Sequence, residues 1–292
     1  MQQVDKYRID LRKKGIKRLM FCGDIHGEFP TFFYNLKSIG KNVLVVVCGD
    51  IGLGFYKPKY YLDTLSKYDK DLKDKNIYVA FVRGNHDDPS YFTEESPCPD
   101  LENLSNITLV KDYQVVMTDL GNILCVGGAR SVDRYWRIPG ISYWVEEEIQ
   151  KIPKTFFRAL HNRDLYIDYV VTHSAPDFCE PKSKGGLDHF QLYDHMVISD
   201  CEKERSLLTT LYNKLIENEF EIKYWIYGHF HMHYGPMTNV ENDIATNFIG
   251  LDRLRLGSST KEESGRKNNI ACDFYEIKMK DYEQMLEQLF NS

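Results

Sequence analysis

The chain has 292 residues, 42% of them hydrophobic and 27% charged, with a formal net charge of -6 at pH 7. This length is sufficient for a buried core, and the acidic charge excludes a general electrostatic attraction to nucleic acid. The longest apolar run, residues 43–48, is far too short to span a bilayer, and the amino terminus is polar and basic. We therefore expect a cytoplasmic protein that makes no membrane contact.

Apolar runs alternate with amphipathic helical patterns over the first part of the chain. Residues 18–22, 43–48 and 77–83 predict buried strands, and residues 30–39 and about 58–75 predict helices between them. Two such βαβ units in series imply a parallel sheet.

Beyond Pro89 the predicted strands become shorter, at residues 107–110, 115–118 and 123–127, which indicates an antiparallel or mixed stretch. The later predicted elements are helices at 155–162, 201–219 and 280–290 and strands at 166–171, 224–227, 236–238, 245–249 and 271–277. Residues 254–269 lack apolar periodicity and predict a mobile surface loop.

The seven cysteines are an odd number and contain no CxxC pair. Cys22, Cys48 and Cys125 fall at the ends of apolar runs, which favours buried free thiols. The size of the chain and the cysteine spacing fit neither a disulfide framework nor a zinc site built from cysteines. Any bound metal should therefore have oxygen and nitrogen ligands.

Five short fragments, each directly after a predicted strand, carry side chains suited to metal binding and acid–base chemistry. They are Gly23-Asp24-Ile25-His26-Gly27, Gly49-Asp50, Gly84-Asn85-His86-Asp87, Thr172-His173-Ser174 and Gly228-His229-Phe230-His231. Because the ends of neighbouring strands converge, we expect these side chains to form one site.

A pair of divalent metal ions about 3.5 to 4 Å apart can hold a phosphoryl oxygen and lower the pKa of a bound water. Such a pair needs a shared ligand, and Asp50 is the candidate because the two oxygens of a carboxylate can each face a cation. Asp24 and His26 are two residues apart, as are His229 and His231, so each pair points to one side of an extended segment. An isolated Gly-Asp is usually only a turn, so the prediction depends on all five fragments together.

Taken in order, the fragments read DxH, GD, GNHD, a single His and GHxH, a pattern that resembles the calcineurin-like metallophosphoesterase superfamily over about residues 19–234, in a bacterial or phage-type member. The resemblance implies an α/β fold, a four-layer α/β/β/α sandwich with two mixed central sheets and a dinuclear metal site at the strand ends. It also implies a single domain over residues 1–292, with a core at about 18–235 and with carboxy-terminal strands and a helix that complete the second sheet.

For the metals, the resemblance implies two sets of ligands that share Asp50 as the catalytic bridge. The first set is Asp24, His26, Asp50 and His231, and the second is Asp50, Asn85, His173 and His229. Mixed carboxylate, amide and imidazole ligation suits Mn²⁺ or Fe, with Zn²⁺ as an alternative.

The resemblance places His86 where the family has a histidine that contacts the scissile phosphate, and it could also protonate the leaving oxygen. Asp87, its neighbour, is a candidate for orienting that imidazole, with an exposed helix cap as the alternative.

Four arginines are candidates for substrate binding. Arg83 precedes Gly84 and resembles an arginine of the family's protein Ser/Thr phosphatases, whereas the aspartate and arginine that follow the second fragment in those phosphatases are missing from residues 49–54. Arg130, Arg134 and Arg137 follow Gly127-Gly128, and guanidinium groups bind phosphate through paired donors. Structural salt bridges are the alternative.

Two further segments leave their roles open. Tyr135, Trp136, Tyr143 and Trp144 could stack on a nucleobase or pack in the core. Residues 182–189, which contain Gly185-Gly186, could fold over the metal site as a lid or form an ordinary surface loop.

These inferences predict a dinuclear metal-dependent phosphoric ester hydrolase that cleaves mono- or diesters by attack of a metal-bridging hydroxide. Its partner is then a phosphate ester, with a nucleotide as one possibility. The alternatives are a nuclease of the same superfamily, for which DNA or RNA is the substrate, a protein Ser/Thr phosphatase, and a non-catalytic metal-binding scaffold.

Overall fold

Two central sheets carry the fold of this computed structural model, which describes residues 7–163, 165–255 and 272–290. The strands are β1 (Arg8–Asp10), β2 (Arg18–Cys22), β3 (Val43–Cys48), β4 (Ile77–Val82), β5 (Ile107–Val110), β6 (Gln114–Thr118), β7 (Gly121–Val126), β8 (Tyr169–Thr172), β9 (Tyr224–Tyr227), β10 (Tyr234–Glu241), β11 (Ile244–Gly250) and β12 (Phe274–Glu276). The α-helices are α1 (Phe29–Leu36), α2 (Pro58–Asp74), α3 (Phe156–His161), α4 (Leu187–Gln191), α5 (Val197–Glu217) and α6 (Met279–Phe290). Short 3-10 helices include Arg134–Trp136 and Val145–Glu147.

The first sheet has the strand order β12-β2-β3-β4-β5, and β2 to β5 are parallel. The second sheet has the order β1-β6-β7-β8-β9-β11-β10, and its β7, β8, β9 and β11 are parallel, while β6 runs antiparallel to β7 and β10 runs antiparallel to β11. The predicted α/β fold with two mixed sheets is confirmed.

Strand β3 shows how the layers arise from side-chain alternation. Val43, Val45 and Val47 pack with helices α1 and α2, whereas Leu44 and Val46 face the second sheet. The outer face of the second sheet packs against α3 and α5. Because β3 is buried on both faces, its sequence is a continuous apolar run, as is usual for parallel strands.

The carboxy-terminal part of the chain differs from the prediction in one respect. Strands β10 and β11 join the second sheet, but β12 pairs antiparallel with β2 at the edge of the first sheet. Its short apolar pattern does not specify a partner, and the pairing joins residues that are far apart in the sequence. The predicted loop at 254–269 lies outside the described residues from position 256 onward.

All seven cysteines are free, six of them buried and Cys201 half-buried, as predicted. Within the described ranges, no helix combines the length and the apolar character that crossing a bilayer requires.

Replacing Leu44 by Ala should lower the free energy of unfolding by about 2 to 5 kcal/mol, because the side chain is fully buried between the two sheets and its loss leaves a cavity. Urea denaturation measures this change. Leu120→Ala is the matched control, since Leu120 is 37% exposed and its truncation should change stability by no more than about 0.5 kcal/mol. Equal effects of the two variants would contradict the assignment of Leu44 to the inter-sheet layer.

Candidate metal centre

The predicted ligands come from strand ends of both sheets. Asp24 and His26 follow β2 of the first sheet, and Asp50 and Asn85 follow β3 and β4 of the same sheet. The remaining ligands follow β8 and β9 of the second sheet; they are His173, His229 and His231. The site therefore forms where the carboxyl ends of parallel strands from two packed sheets meet.

Gly84 shows why small residues precede the ligands. A Cβ at this position would overlap the backbone nitrogen and Oδ1 of Asp50. Only glycine lets the loop after β4 approach the loop after β3 this closely.

The first predicted ligand set is assembled in the structure. One ligand atom from each of Asp24, His26, Asp50 and His231 lies within 4.8 Å of the others. The Nε2 atoms of His26 and His231 are 3.0 Å apart, and His231 Nε2 is 3.2 Å from Asp24 Oδ2. His26 Nε2 also lies 3.9 Å from Asp50 Oδ2.

The second set surrounds His173. Its Nε2 is 3.1 Å from Asp50 Oδ1 and 3.0 Å from Asn85 Oδ1, and its ring centroid is 4.9 Å from that of His229. His173 Nδ1 lies 2.7 Å from the carbonyl oxygen of Cys48, a contact that fixes the ring and directs Nε2 into the site.

Asp50 thus lies between the two sets, with Oδ1 near His173 and Oδ2 near His26. Its carboxylate is fully buried and also accepts a hydrogen bond from the backbone nitrogen of His86, at 2.8 Å. This is the placement expected of a bridging carboxylate.

Two buried carboxylate atoms, Asp24 Oδ2 and Asp50 Oδ2, accept no hydrogen bond of normal geometry from the described residues, although ring nitrogens of the predicted ligands His231 and His26 lie 3.2 and 3.9 Å from them. A buried carboxylate oxygen without compensation is strongly unfavourable, and a bound cation supplies that compensation. The residues therefore fit divalent metal ions.

The charges of the site point the same way. Burial opposes ionisation of Asp50, but the nearby His173 and His86 hold the pKa of Asp50 well below its usual value. Burial also opposes protonation of His173, yet Asp50 and Asp24 raise the pKa of His173 to about 9. Two ionised carboxylates in a buried cleft create a negative potential that attracts cations.

His86 lies at the edge of the first ligand set, with its ring centroid 5.2 Å from that of His26. Arg137 places Nη2 2.9 Å from His86 Nε2 and Nη1 3.1 Å from His86 Nδ1. Burial lowers the pKa of His86 to about 4 against the opposing charge of Asp50, and Arg137 contributes to the decrease. Asp133 holds the Arg137 guanidinium by accepting hydrogen bonds of 2.7 Å from Nε and Nη2.

Arg83 does not have the predicted position for substrate contact. Its guanidinium is buried, donates to the Asp112 carboxylate and donates to the carbonyl oxygens of Glu147 and Glu148. A Cβ on Gly128 would overlap this guanidinium, which explains the glycine that follows β7. These contacts match the structural salt-bridge alternative for Arg83.

Arg134 and Arg130 also form ion pairs within the protein. Arg134 donates to Asp194 at 2.5 Å and to Asp200 at 2.7 Å, and Arg130 pairs with Glu148. These contacts match the salt-bridge alternative, and they leave Arg137 as the predicted arginine that contacts His86.

Asp87 differs from both predictions for it. The carboxylate is fully buried and accepts hydrogen bonds from the backbone nitrogens of residues 51, 52, 53 and 84. It is therefore not an exposed cap, and its oxygens are used by amides rather than by the His86 ring. Burial and the nearby Asp50 raise the pKa of Asp87 to about 6. Asp87 joins the loop after β3 to the loop after β4.

Ser131 and Glu147 hold Asn85 and were not predicted. Asn85 Nδ2 donates to Ser131 Oγ at 2.8 Å, and Ser131 Oγ donates to Glu147 Oε2 at 2.6 Å. The Ser131 backbone nitrogen also donates to Glu147 Oε1, at 2.7 Å. Because the amide nitrogen is engaged in this way, Asn85 Oδ1 faces His173. No motif spacing signals this chain of contacts.

Lys184 is a third residue that the motifs missed. Its Nζ lies 3.4 Å from His229 Nδ1, so residues 182–189, named here the lid loop, border the metal centre. This position is compatible with both predicted roles, a lid over the site and an ordinary surface loop. The lid loop also contacts the segment after β7, where the Trp136 ring lies 6.0 Å from that of His189. Trp136 is 49% exposed, whereas Trp144 is buried, so core packing applies to Trp144 alone of these two.

Replacing Ser131 by Ala should weaken metal binding by about 10- to 100-fold, the usual effect of removing a group that orients a ligand, because Asn85 loses the acceptor for its amide nitrogen. Titration of the protein with Mn²⁺ against a chelating dye measures the affinity directly. Ser105→Ala is the control, since Ser105 is exposed and remote from the ligands. Unchanged affinity in Ser131→Ala would remove Ser131 from this role.

Solved structures give distant matches. The chain shares 12% identity with TT1561 of Thermus thermophilus, at a TM-score of 0.43, covering 82% of this chain and 90% of that one. It shares 11% identity with a putative 5'-nucleotidase from Staphylococcus aureus, at a TM-score of 0.38, covering 79% and 48%. It shares 14% identity with a Saccharomyces cerevisiae protein serine/threonine phosphatase, at a TM-score of 0.29, covering 82% and 70%. Likenesses this weak carry no conclusion about activity.

No curated protein matches the sequence of this chain. The family model described as calcineurin-like phosphoesterase, however, matches residues 17–233, a range that contains all five fragments and the whole ligand cluster. The chain therefore belongs to the calcineurin-like phosphoesterase family.

Proposed function

We propose that this protein hydrolyses phosphate mono- or diesters with two divalent metal ions. The observation that carries the proposal is the placement of Asp50 between two ligand sets, together with buried carboxylate oxygens of Asp24 and Asp50 that have no partner among the described residues. Mn²⁺ or Fe suits the mixed donors, with Zn²⁺ as the alternative.

When bound, two divalent ions would lower the pKa of a water molecule and would place positive charge beside the phosphoryl oxygens. Side chains of the protein would bind the phosphate and transfer the proton. Arg137 places two guanidinium nitrogens beside His86, and the same guanidinium also donates to Asp133 and to the carbonyl oxygen of Ser142, so a phosphoryl oxygen that it bound would replace one of these acceptors. A phosphate in contact with His86 would add negative charge that favours the protonated imidazole, and His86 would then deliver a proton to the leaving oxygen.

A nuclease is the second candidate. The exposed rings of Tyr135, Trp136 and Tyr193 form a cluster, and such rings can stack on unpaired bases. Tyr135 and Trp136 directly precede Arg137 in the sequence. The net charge of -6 opposes binding to a long polyanion. A strand-cleavage assay on single-stranded DNA and RNA separates the two candidates.

Release of nitrophenol from matched monoester and diester substrates in the presence of Mn²⁺ tests the proposed function, with Asp50→Asn as the blank. Faster diester cleavage supports a phosphodiesterase, and faster monoester cleavage supports a phosphatase. If metal is bound and release equals that of the blank on both substrates, the proposed hydrolysis is wrong and the protein is a non-catalytic metal-binding scaffold.

The Asp50→Asn protein should lose both metal ions and fall to background turnover, because one neutral amide oxygen cannot replace two charged carboxylate oxygens, one directed to each ligand set. Elemental analysis of the purified protein measures the metal content. Asp63→Asn serves as the control, since Asp63 is exposed and pairs only with Lys59 among its described contacts. Full metal content and full activity in Asp50→Asn would exclude the bridging role.

His86→Ala should keep its metal ions and lose about 10² to 10⁴ in rate, the usual contribution of a positioned acid or base. Its metal content distinguishes this loss from damage to the centre. The exposed His195, changed to Ala, should leave both quantities unaltered. Normal turnover of His86→Ala would show that His86 has no catalytic role.

A further inference from the structure

The turn that carries Arg137 lies on the surface and has little apolar support. In the stretch 133–143, all of which the structure describes, no side chain is buried. The turn contains the short 3-10 helix Arg134–Trp136 and belongs to neither sheet. A segment with so few buried contacts is expected to move unless polar groups fix it, yet Arg137 has to stay beside His86 to act there.

An ion-pair cluster of Arg134, Asp194 and Asp200 anchors this turn. Arg134 donates from Nε to Asp194 Oδ2 at 2.5 Å and from Nη2 to Asp200 Oδ2 at 2.7 Å. All three side chains are largely buried, and the hydrogen bond from Arg134 lowers the pKa of Asp194, so this pair is charged at neutral pH. A guanidinium that two carboxylates share has a fixed position and orientation, unlike an exposed pair of flexible side chains.

The aromatic rings next to Arg134 reach the same part of the protein but are less enclosed. The ring centroids of Tyr135 and Trp136 lie 5.7 and 4.8 Å from that of Tyr193. Because all three rings are exposed, these contacts remove little apolar surface from water and restrict the turn less than the ion-pair cluster does. The ion-pair cluster is therefore the main attachment of the turn.

The cluster fastens the turn to a rigid part of the molecule. Asp194 lies between α4 and α5, and Asp200 lies in the first turn of α5. Arg205, on the same helix, donates to the carbonyl oxygens of residues 175, 176, 179, 181 and 182. Because these residues follow the predicted ligand His173, α5 is held directly to the chain that leaves the metal centre. The position of the turn is thereby set relative to the ligands.

The geometry of the turn transmits this position to Arg137. One 3-10 turn separates the two arginines, and the backbone nitrogen of Arg137 donates to the carbonyl oxygen of Arg134 at 3.1 Å. Asp133, directly before Arg134, accepts hydrogen bonds from the Arg137 guanidinium. A shift of the turn would therefore move this guanidinium away from His86.

We propose that Arg134 is a positioning residue for the hydrolysis: its ion pairs with Asp194 and Asp200 hold Arg137 beside His86, where Arg137 binds a phosphoryl oxygen of the substrate. This inference rests on the proposed function and adds to that site a residue that acts only through Arg137. It differs from the salt-bridge alternative, under which Arg134 contributes to stability alone.

The test is a double-mutant cycle of Arg134→Gln and Arg137→Gln on the Mn²⁺-loaded protein, with the nitrophenyl ester that the protein cleaves faster. Arg134→Gln alone should lower kcat/KM about 10- to 100-fold, mainly through a higher KM, because a misplaced guanidinium loses its charged hydrogen bonds to phosphate. In the Arg137→Gln background the same change should alter kcat/KM by less than about twofold. The metal content should be unaltered in all of these variants.

Arg18→Gln is the matched control. Arg18 is half-buried and donates two hydrogen bonds of 2.6 Å to Glu276, but it lies at the start of β2, at the end opposite to the ligands. Its loss should lower stability without altering KM.

Should Arg134→Gln fail to fold, Arg134→Lys decides, since the charge is kept while a single ammonium cannot reproduce the fork between two carboxylates. Its KM should rise about three- to tenfold, as for the loss of one hydrogen bond. An unchanged KM of Arg134→Lys would then overturn the inference.

Equal falls of kcat/KM in both backgrounds would overturn the inference, since Arg134 would then act independently of Arg137. A lower kcat at unchanged KM would also overturn it, because such a change indicates a smaller fraction of folded protein. Unaltered kinetics of Arg134→Gln would have the same consequence.

Calorimetric binding of inorganic phosphate to the Mn²⁺-loaded protein provides a readout that does not require turnover. If the unaltered protein binds phosphate but hydrolyses no ester, the proposed function fails. The inference is then supported by weaker phosphate binding in Arg134→Gln that is absent in the Arg137→Gln background, and additive weakening overturns it. If the unaltered protein neither binds phosphate nor hydrolyses an ester, both fail.

Discussion

The structure depends on keeping two carboxylates ionised inside a protein. Asp24 and Asp50 are fully buried, and each has an oxygen without a hydrogen-bond partner in the described part of the chain. In isolation this arrangement would be strongly destabilising, so the fold must hold the carboxylates in place and a cation must compensate for their charge. Backbone groups of the neighbouring loops hold the two carboxylates in place. The backbone nitrogen of His86 donates to Asp50, and the backbone nitrogen of His229 donates to Asp24 at 3.0 Å.

A second group of buried polar residues supports the loops rather than the ions. Asp87 accepts hydrogen bonds from four backbone nitrogens of two loops. Arg83, directly after β4, donates hydrogen bonds to Asp112 and to the carbonyl oxygen of Glu147. Each of these groups is charged or polar, buried and matched by protein partners, which is the condition under which such groups are tolerated in a core. Asp24 Oδ2 and Asp50 Oδ2 can then remain without a hydrogen bond, because the backbone that carries them is fixed by other residues.

The difference between the predicted ligands and the residues that hold their loops explains which features the sequence predicted and which it did not. The ligands were predictable because each follows an apolar strand within a few residues, so local patterns are sufficient. The same holds for the strands β2, β3 and β4. The partners of Arg83, Asp87 and Asn85 lie 29, 36 and 46 positions away, and no periodicity connects Asn85 to Ser131. Strand β12 pairs with β2 across an even larger separation. The Asn85–Ser131 contact depends on how the two sheets pack, and the others depend on how distant segments meet within one sheet or beside it. A single sequence carries no local signal for any of them.

The division of the ligands between the two sheets has a consequence for how the protein is maintained in a cell. Four predicted ligands follow strands of the first sheet and three follow strands of the second, so an ion bound there would link the sheets much as a covalent cross-link would. Binding energy at such a position is also folding energy, since the unfolded chain has no assembled site. If the protein binds metal there, scarcity of metal would raise the fraction of unfolded molecules, which proteases degrade. The supply of metal would then control how much of this protein accumulates, in addition to how fast each molecule works.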